Sequence, residues 1–226
     1  MKRTVFFVVA ACFGIRTAQA QLAEPTSTSR EQQLVESVGL ERLSMSTGLP
    51  PLTNLQNVTG LLQVGNGNTA RIDQQTLSNN ANQAYVAQIG EANVLRLTQL
   101  GGGNLLLVTQ NGNGNQAGYT QGGQNNATNI TQNGTQNKVQ GVDGRANLLL
   151  EGDNNTMKIT QNGNNNTVQG EVRENNRNYD IRQYGSDNTL TQIETTTQTP
   201  KGYTVEMRGQ GINLTIEQSK VVPGVR

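Results

Sequence analysis

The seven residues Asn93-Val-Leu-Arg-Leu-Thr-Gln99 put Asn93, Leu95, Leu97 and Gln99 on one face of an extended chain and Val94, Arg96 and Thr98 on the other. Side chains two apart share a face of a strand, so the segment predicts a half-buried strand. The same register turns Leu106 and Val108, Ala117 and Tyr119, Thr128 and Ile130, Met157 and Ile159, and Tyr179 and Ile181 inward. It turns Arg71, Lys158, Asp180 and Arg182 outward, so the charges fall on the face that meets water.

These strands recur at a fixed interval. Gln-x-Gly-x-x-Asn returns every eleven residues as Gln88, Gly90, Asn93; Gln99, Gly101, Asn104; Gln110, Gly112, Asn115; Gln121, Gly123, Asn126; and Gln132, Gly134, Asn137. It returns again as Gln161, Gly163, Asn166 and as Gln183, Gly185, Asn188. Counting outward, the Asn position also falls on Asn57, Asn68, Asn82 and Asn155, and on Arg177, where the residue type changes. A fixed period with polar amides at fixed places marks a stacked repeat, in which equivalent residues lie above one another. Glycine at the same place in each unit suits a tight reversal with positive φ.

Each unit is then a strand and a turn, and two units close one flattened coil of about 22 residues. The expected fold is all-β, a β-solenoid with two strands per coil and roughly six to seven coils. Inward amides next to a turn need donors and acceptors, and the same amide one coil away supplies both as a ladder. Two intervals are irregular: Asn68 to Asn82 spans fourteen residues, and Asn137 to Asn155 spans eighteen. The second reads as two units, one of them irregular around Asn147, with four residues lost from a turn, because turns absorb length changes and strands do not. Unstructured low-complexity sequence would not hold three residue types in register while keeping charge off one face.

Composition sharpens this reading. With three Phe, five Tyr and no Trp in 226 residues, a conventional large core is excluded. Lys2 and Arg3 precede an apolar run over residues 5–15, and Ala18-Gln19-Ala20 offers a cleavage site, so residues 1–20 read as a secretory signal. Cys12 also sits in a lipoprotein-like setting, which leaves acylation as the other reading of this stretch. Cleavage would remove the only cysteine, and with no histidine in the chain it would exclude disulfides, thiol nucleophiles, Ser-His-acid triads and most transition-metal sites. No cofactor is expected. The acids Asp73, Glu91, Asp143, Glu151, Asp153, Glu171 and Asp187 are scattered, and Asn-x-Thr triplets such as Asn129-Ile-Thr131 arise from the repeat itself. Removing Lys2, Arg3 and Arg16 leaves 14 basic against 16 acidic residues, net −2, which implies no nucleic-acid partner.

Gln-x-Gly-x-x-Asn, a five-residue spacer and Gln, in tandem behind a secretory signal, resembles the curlin repeat of curli subunits. These are secreted bacterial proteins that polymerise into functional amyloid fibres of the biofilm matrix. The resemblance covers residues 57–194. It implies an extracellular cell-surface fibre of a Gram-negative-type bacterium, export through an outer-membrane pore with periplasmic chaperones, self-association, and a nucleator or major-subunit partner. No enzymatic activity is expected, because the acidic residues form no clustered site. The family's ladder residues map onto Gln88, Asn93, Gln99, Asn104, Gln110, Asn115, Gln121, Asn126, Gln132, Asn137, Gln161, Asn166, Gln183 and Asn188.

Residues 21–56 form a separate leader. Leu34, Val35, Val38 and Leu43 have helical spacing within residues 31–43, and Pro50-Pro51 ends it, which suits an export or chaperone signal or a cap. In the divergent C-terminal region, 195–226, Tyr203, Val205 and Met207 and then Ile212, Leu214 and Ile216 alternate as two further strands. Three functions compete: a fibre subunit, major or minor; a monomeric adhesin or surface binder; and a β-helical enzyme. Outward Thr98, Thr109, Thr120 and Thr131 form no paired array for a flat binding face, and no acids cluster for catalysis. No charge stands between Arg96 and Lys138, so intermolecular pairing is least opposed there.

Overall fold

The computed structural model describes residues 57–195 and 202–218. The signal with Cys12, the leader with its helical spacing, and most of the break at 195–200 lie outside the described residues. Strands β1 (Val58–Val64), β2 (Thr69–Thr76), β3 (Gln83–Ile89), β4 (Val94–Gly102), β5 (Leu105–Asn113), β6 (Gln116–Gln124) and β7 (Ala127–Thr135) come first. They are followed by β8 (Lys138–Gln140), β9 (Leu148–Glu151), β10 (Thr156–Asn164), β11 (Thr167–Arg173), β12 (Asn178–Ser186), β13 (Thr189–Glu194), β14 (Gly202–Gln210) and β15 (Asn213–Gln218).

Successive strands alternate between two parallel sheets. One runs β1-β3-β5-β7-β10-β12-β14 and the other β2-β4-β6-β8-β11-β13-β15, with β9 bridging β6 and β11. The chain is therefore an all-β solenoid with two strands per coil. The Cα register steps by 22 residues where the repeat is regular, as from Leu105 to Ala127. Three longer steps raise the mean. They are the first, Val58 to Gln83, with three extra residues in a turn; Ala127 to Thr156; and the last, Asn178 to Gly202. The residues after 202 stay in register as the seventh rung, with β14 on β12 and β15 on β13.

The core is the narrow space between the sheets. Leu106, Thr128, Met157 and Tyr179 lie on paired positions of successive strands, and Val108, Ile130, Ile159 and Ile181 form the neighbouring column. Leu95, Leu97, Ala117 and Tyr119 face them from the other sheet, and all twelve are buried. Each rung's inward surface is therefore covered by the facing strand and by the rungs on either side, so a single rung could not bury it alone. Arg96 and Lys158 are exposed.

The eighteen-residue interval differs from the two-unit reading. Val139 pairs with Ala117 and Val168, and Leu148 pairs with Tyr119, so β8 and β9 are two halves of one strand on the fourth rung. The seven residues between Gln140 and Leu148 are inserted in mid-strand and loop outward, so no second unit exists. The sheet accepts this because the outward residue beneath is Gly118, whose Cβ would lie 1.9 Å from the Ala146 carbonyl oxygen. The loop closes on its own backbone, Gly141 N–H to Arg145 C=O at 3.0 Å and Arg145 N–H to Val142 C=O at 3.1 Å. Deleting residues 141–147 so that Gln140 joins Leu148 should preserve the β-sheet circular dichroism and shift unfolding stability by no more than about 1 kcal/mol, since a surface loop adds little. Collapse of the β signal in that deletion would show that the loop holds the strand together.

Candidate functional site: two amide-lined corners

Each coil turns twice, and the polar repeat residues gather at the two turns. The second corner, where the chain leaves the first sheet, takes Gln88, Asn93, Gln110, Asn115, Gln132, Asn137, Gln161, Asn166, Gln183 and Asn188, all fully buried. The first corner takes Gln99, Asn104, Gln121 and Asn126. Most strands reach through the Gly position, so the reversal there holds only two residues, as Gly103 and Asn104 between β4 and β5 or Gly114 and Asn115 between β5 and β6.

In the second corner the Gln side chains form one unbroken column. Each donates Nε2–H to the Oε1 of the next rung: Gln63 to Gln88 at 2.6 Å, Gln88 to Gln110 at 2.8 Å, Gln110 to Gln132 at 2.8 Å, Gln132 to Gln161 at 2.9 Å and Gln161 to Gln183 at 2.9 Å. The second Nε2–H donates across the coil to a backbone carbonyl, as from Gln110 to Val94 O at 3.2 Å. A chain of like amides polarises in one sense, which strengthens each bond. The Asn column runs the other way. Asn115 donates Nδ2–H to Asn93 Oδ1 at 3.2 Å, Asn137 to Asn115 at 3.2 Å, Asn166 to Asn137 at 3.1 Å and Asn188 to Asn166 at 3.0 Å.

Gly and Asn positions depend on each other. At Gly90, with φ +108°, a Cβ would stand 2.2 Å from the Gly112 carbonyl oxygen of the next rung. That same oxygen accepts Asn93 Nδ2–H at 2.8 Å. The carbonyl that Asn needs thus passes through the space a side chain would occupy, which excludes every residue but glycine. Gly101, Gly112, Gly123, Gly134, Gly163 and Gly185 meet the next rung in the same way. A second left-handed position, immediately before the Asn, was not singled out by the repeat: Ala92, Asn125, Gln136, Asn154, Asn165, Asn176 and Asp187 lie at φ 54–59°. The signal for it is the run of Gly, Asn and Asp there, residues that tolerate this conformation.

The first corner changes chemistry along the stack. Gln74 donates to Gln99 at 2.7 Å and Gln99 to Gln121 at 3.2 Å, but Gln121 then turns to the Thr128 hydroxyl at 3.3 Å. Leu150, Val172 and Glu194 take the next Gln places. In the turn from the fifth rung to the sixth, Arg177 replaces Asn and Glu174 replaces Gly. Buried Arg177 donates to Glu174 at 3.0 Å and lies 3.7 Å from Glu194. Tyr179 donates its hydroxyl to Glu194 at 2.6 Å, and burial, followed by that carboxylate, pushes the phenol pKa up. An ionic cluster therefore closes the corner that amides line elsewhere. Counting in elevens from Gln161 would have found Val172 and Glu194.

Residues 152–191, which span β10 to β12 and enter β13, match the family model of the curlin associated repeat. That segment carries the curlin associated repeat. Neither a curated protein nor a solved structure matches the chain. The repeat and the solenoid together fit a curli-like structural subunit. Among the described residues, no group of three or more His, Cys, Asp or Glu is placed to hold a metal.

Proposed function

We propose that this protein is a secreted, self-assembling structural subunit of extracellular curli-like amyloid fibres of a bacterial biofilm matrix, growing by end-to-end stacking of coils. One observation carries the reading: the second corner keeps its Gln and Asn columns through six rungs. Among the described residues, β1 and β2 at one end and β14 and β15 at the other are edge strands with unpaired backbone groups. Such edges template further strands. The partners are further copies of the chain, a nucleator or major subunit, an outer-membrane secretion pore and periplasmic chaperones, and the role is mechanical rather than catalytic.

The mature chain should convert from a soluble form to β-rich, dye-binding fibres after a lag, and preformed fibres should abolish the lag. Chains that stay monomeric in the presence of seeds would overturn the reading. Replacing Asn104 and Asn126 together by Ala should slow this conversion more than replacing Arg96 and Lys158, because only the first pair breaks a buried column. Equal slowing would refute the assignment of the columns to assembly.

A second reading, the minor nucleating subunit of such a fibre, is favoured by the last rung. There Met207 and Ile212 stand where the other rungs of the second corner carry Gln and Asn. In that role, trace amounts of the chain would shorten the lag of a separate major subunit.

A further inference from the structure

We propose that the trough on the outer face of the second sheet, between Arg96 and the inserted loop, binds a carboxylated oligosaccharide of the uronate type. Its lining includes Arg71, Arg96, Thr98, Thr120, Arg145 and Asn147. A second cleft on the other side of Arg96 adds Gln116, Gly118 and Lys138 and shares Arg145. The trough exists because the solenoid is interrupted here: Gly118 lets the loop seat on the sheet, and the loop builds a wall beside Arg96 that no other described rung has.

The wall is held in place. Arg145 donates to Glu171 on the rung beyond at 2.6 Å, and Asn147 donates Nδ2–H to the Thr120 hydroxyl at 3.0 Å. Glu171 also accepts from Arg173 at 2.8 Å, and that hydrogen bond, with the two guanidinium charges, holds its pKa below the usual carboxylate range. A depressed carboxyl contributes its anchoring above the unfolded pKa and loses it as pH falls through the folded one, so the wall stands at neutral pH.

Charge in the trough is unbalanced. Arg71 and Arg96 occupy paired positions on adjacent strands, about 4.8 Å apart at the backbone. Arg71 is paired with Asp73 at 2.8 Å and Arg145 with Glu171, while Asp143 lies in the loop itself and Glu151 bonds Arg173. Among the described residues, Arg96 and Lys138 form no ion pair with any of these acids. They stand two rungs apart and, because Lys138 aligns with Val94, two residues apart along the strand, which puts their backbones roughly 12 Å apart, within reach of alternate carboxylates of one extended chain through their long side chains. A guanidinium takes a carboxylate through two parallel hydrogen bonds. The hydroxyls of Thr98 and Thr120 and the Asn147 amide suit sugar hydroxyls. No aromatic side chain lines either cleft, so nucleic-acid bases have nothing to stack on. The trough faces sideways from the solenoid axis and remains available whether or not copies of the chain stack.

The test is calorimetric titration of a galacturonic-acid hexamer into the full mature chain, with a neutral glucose hexamer and an oligothymidylate of equal charge as comparators. The uronate hexamer should bind best, and added salt should weaken it. Arg96→Ala should weaken binding roughly tenfold or more, and Arg96→Lys by less, because the charge stays while the fork is lost. The deletion of residues 141–147 should abolish the site, and Lys158→Ala on the opposite sheet should leave it within about twofold. Circular dichroism checks each fold; if Arg96→Ala disturbs it, Lys138→Ala carries the same expectation of weakened binding. The proposal is overturned if the uronate hexamer does not saturate, if the neutral hexamer or the oligothymidylate binds as well, or if the properly folded Arg96 and Lys138 variants bind like the parent.

Discussion

Gly134→Ala is expected to destroy the middle of the solenoid although it adds a single methyl group. At φ +114° the new Cβ would stand 2.1 Å from the Gly163 carbonyl oxygen. That oxygen cannot move aside, because it also accepts Asn137 Nδ2–H at 2.8 Å. Strain at positive φ and a clash with backbone together should cost roughly 3–6 kcal/mol. The comparison is Gly144→Ala in the inserted loop, where φ is +75° and nothing lies within 4 Å of the added atom. Only the conformational cost applies there, about 1 kcal/mol. Urea unfolding followed by circular dichroism separates the two, and equal losses would mean that φ, rather than the neighbouring rung, demands the glycine.

Gln132→Leu is expected to be nearly as damaging, and for a reason unrelated to volume. It removes the acceptor of Gln110 Nε2 and the donor to Gln161 Oε1, both buried. Each buried polar group left without a partner costs about 1–3 kcal/mol, so a loss of roughly 2–4 kcal/mol should follow, with slower fibre growth. The protein already contains a Leu at such a place, and the contrast explains the expectation. Leu150 follows Gln121 in the first corner, where Gln121 is served instead by Thr128, seven residues on. The residue seven on from Gln110 is buried Ala117, which has no hydroxyl to offer. If Gln132→Leu melts like the parent, water or a rotated amide must serve the column.

The periodicity made most of the fold legible. An eleven-residue spacing with two-residue alternation leaves few solutions, and the amides mark where one rung meets the next. The position of the insertion was obscured by the premise that added length belongs in turns. Its trace was present: Leu150, Gly152 and Asn155 repeat the spacing of Gln, Gly and Asn with one substitution, and Leu148 and Leu150 resume the inward alternation begun by Val139. The inequality of the two corners was harder to see. One motif serves both, so only after alternate units are assigned to separate sheets does one column emerge as continuous and the other as ending in Arg177, Glu174 and Glu194.

The amide columns also have a direction. Every Gln of the second corner donates toward the C-terminal end and every Asn side chain there accepts from that side, so the two ends of the stack are chemically different. A joint with twofold symmetry would set Gln63 Oε1 against another Gln63 Oε1, acceptor facing acceptor, and would reverse the strand direction across the seam. Coaxial contact that continues the columns must therefore be heterologous, with the head of one molecule on the tail of the next. An interface of that kind, related by translation along an axis, has no geometry in which it closes on itself.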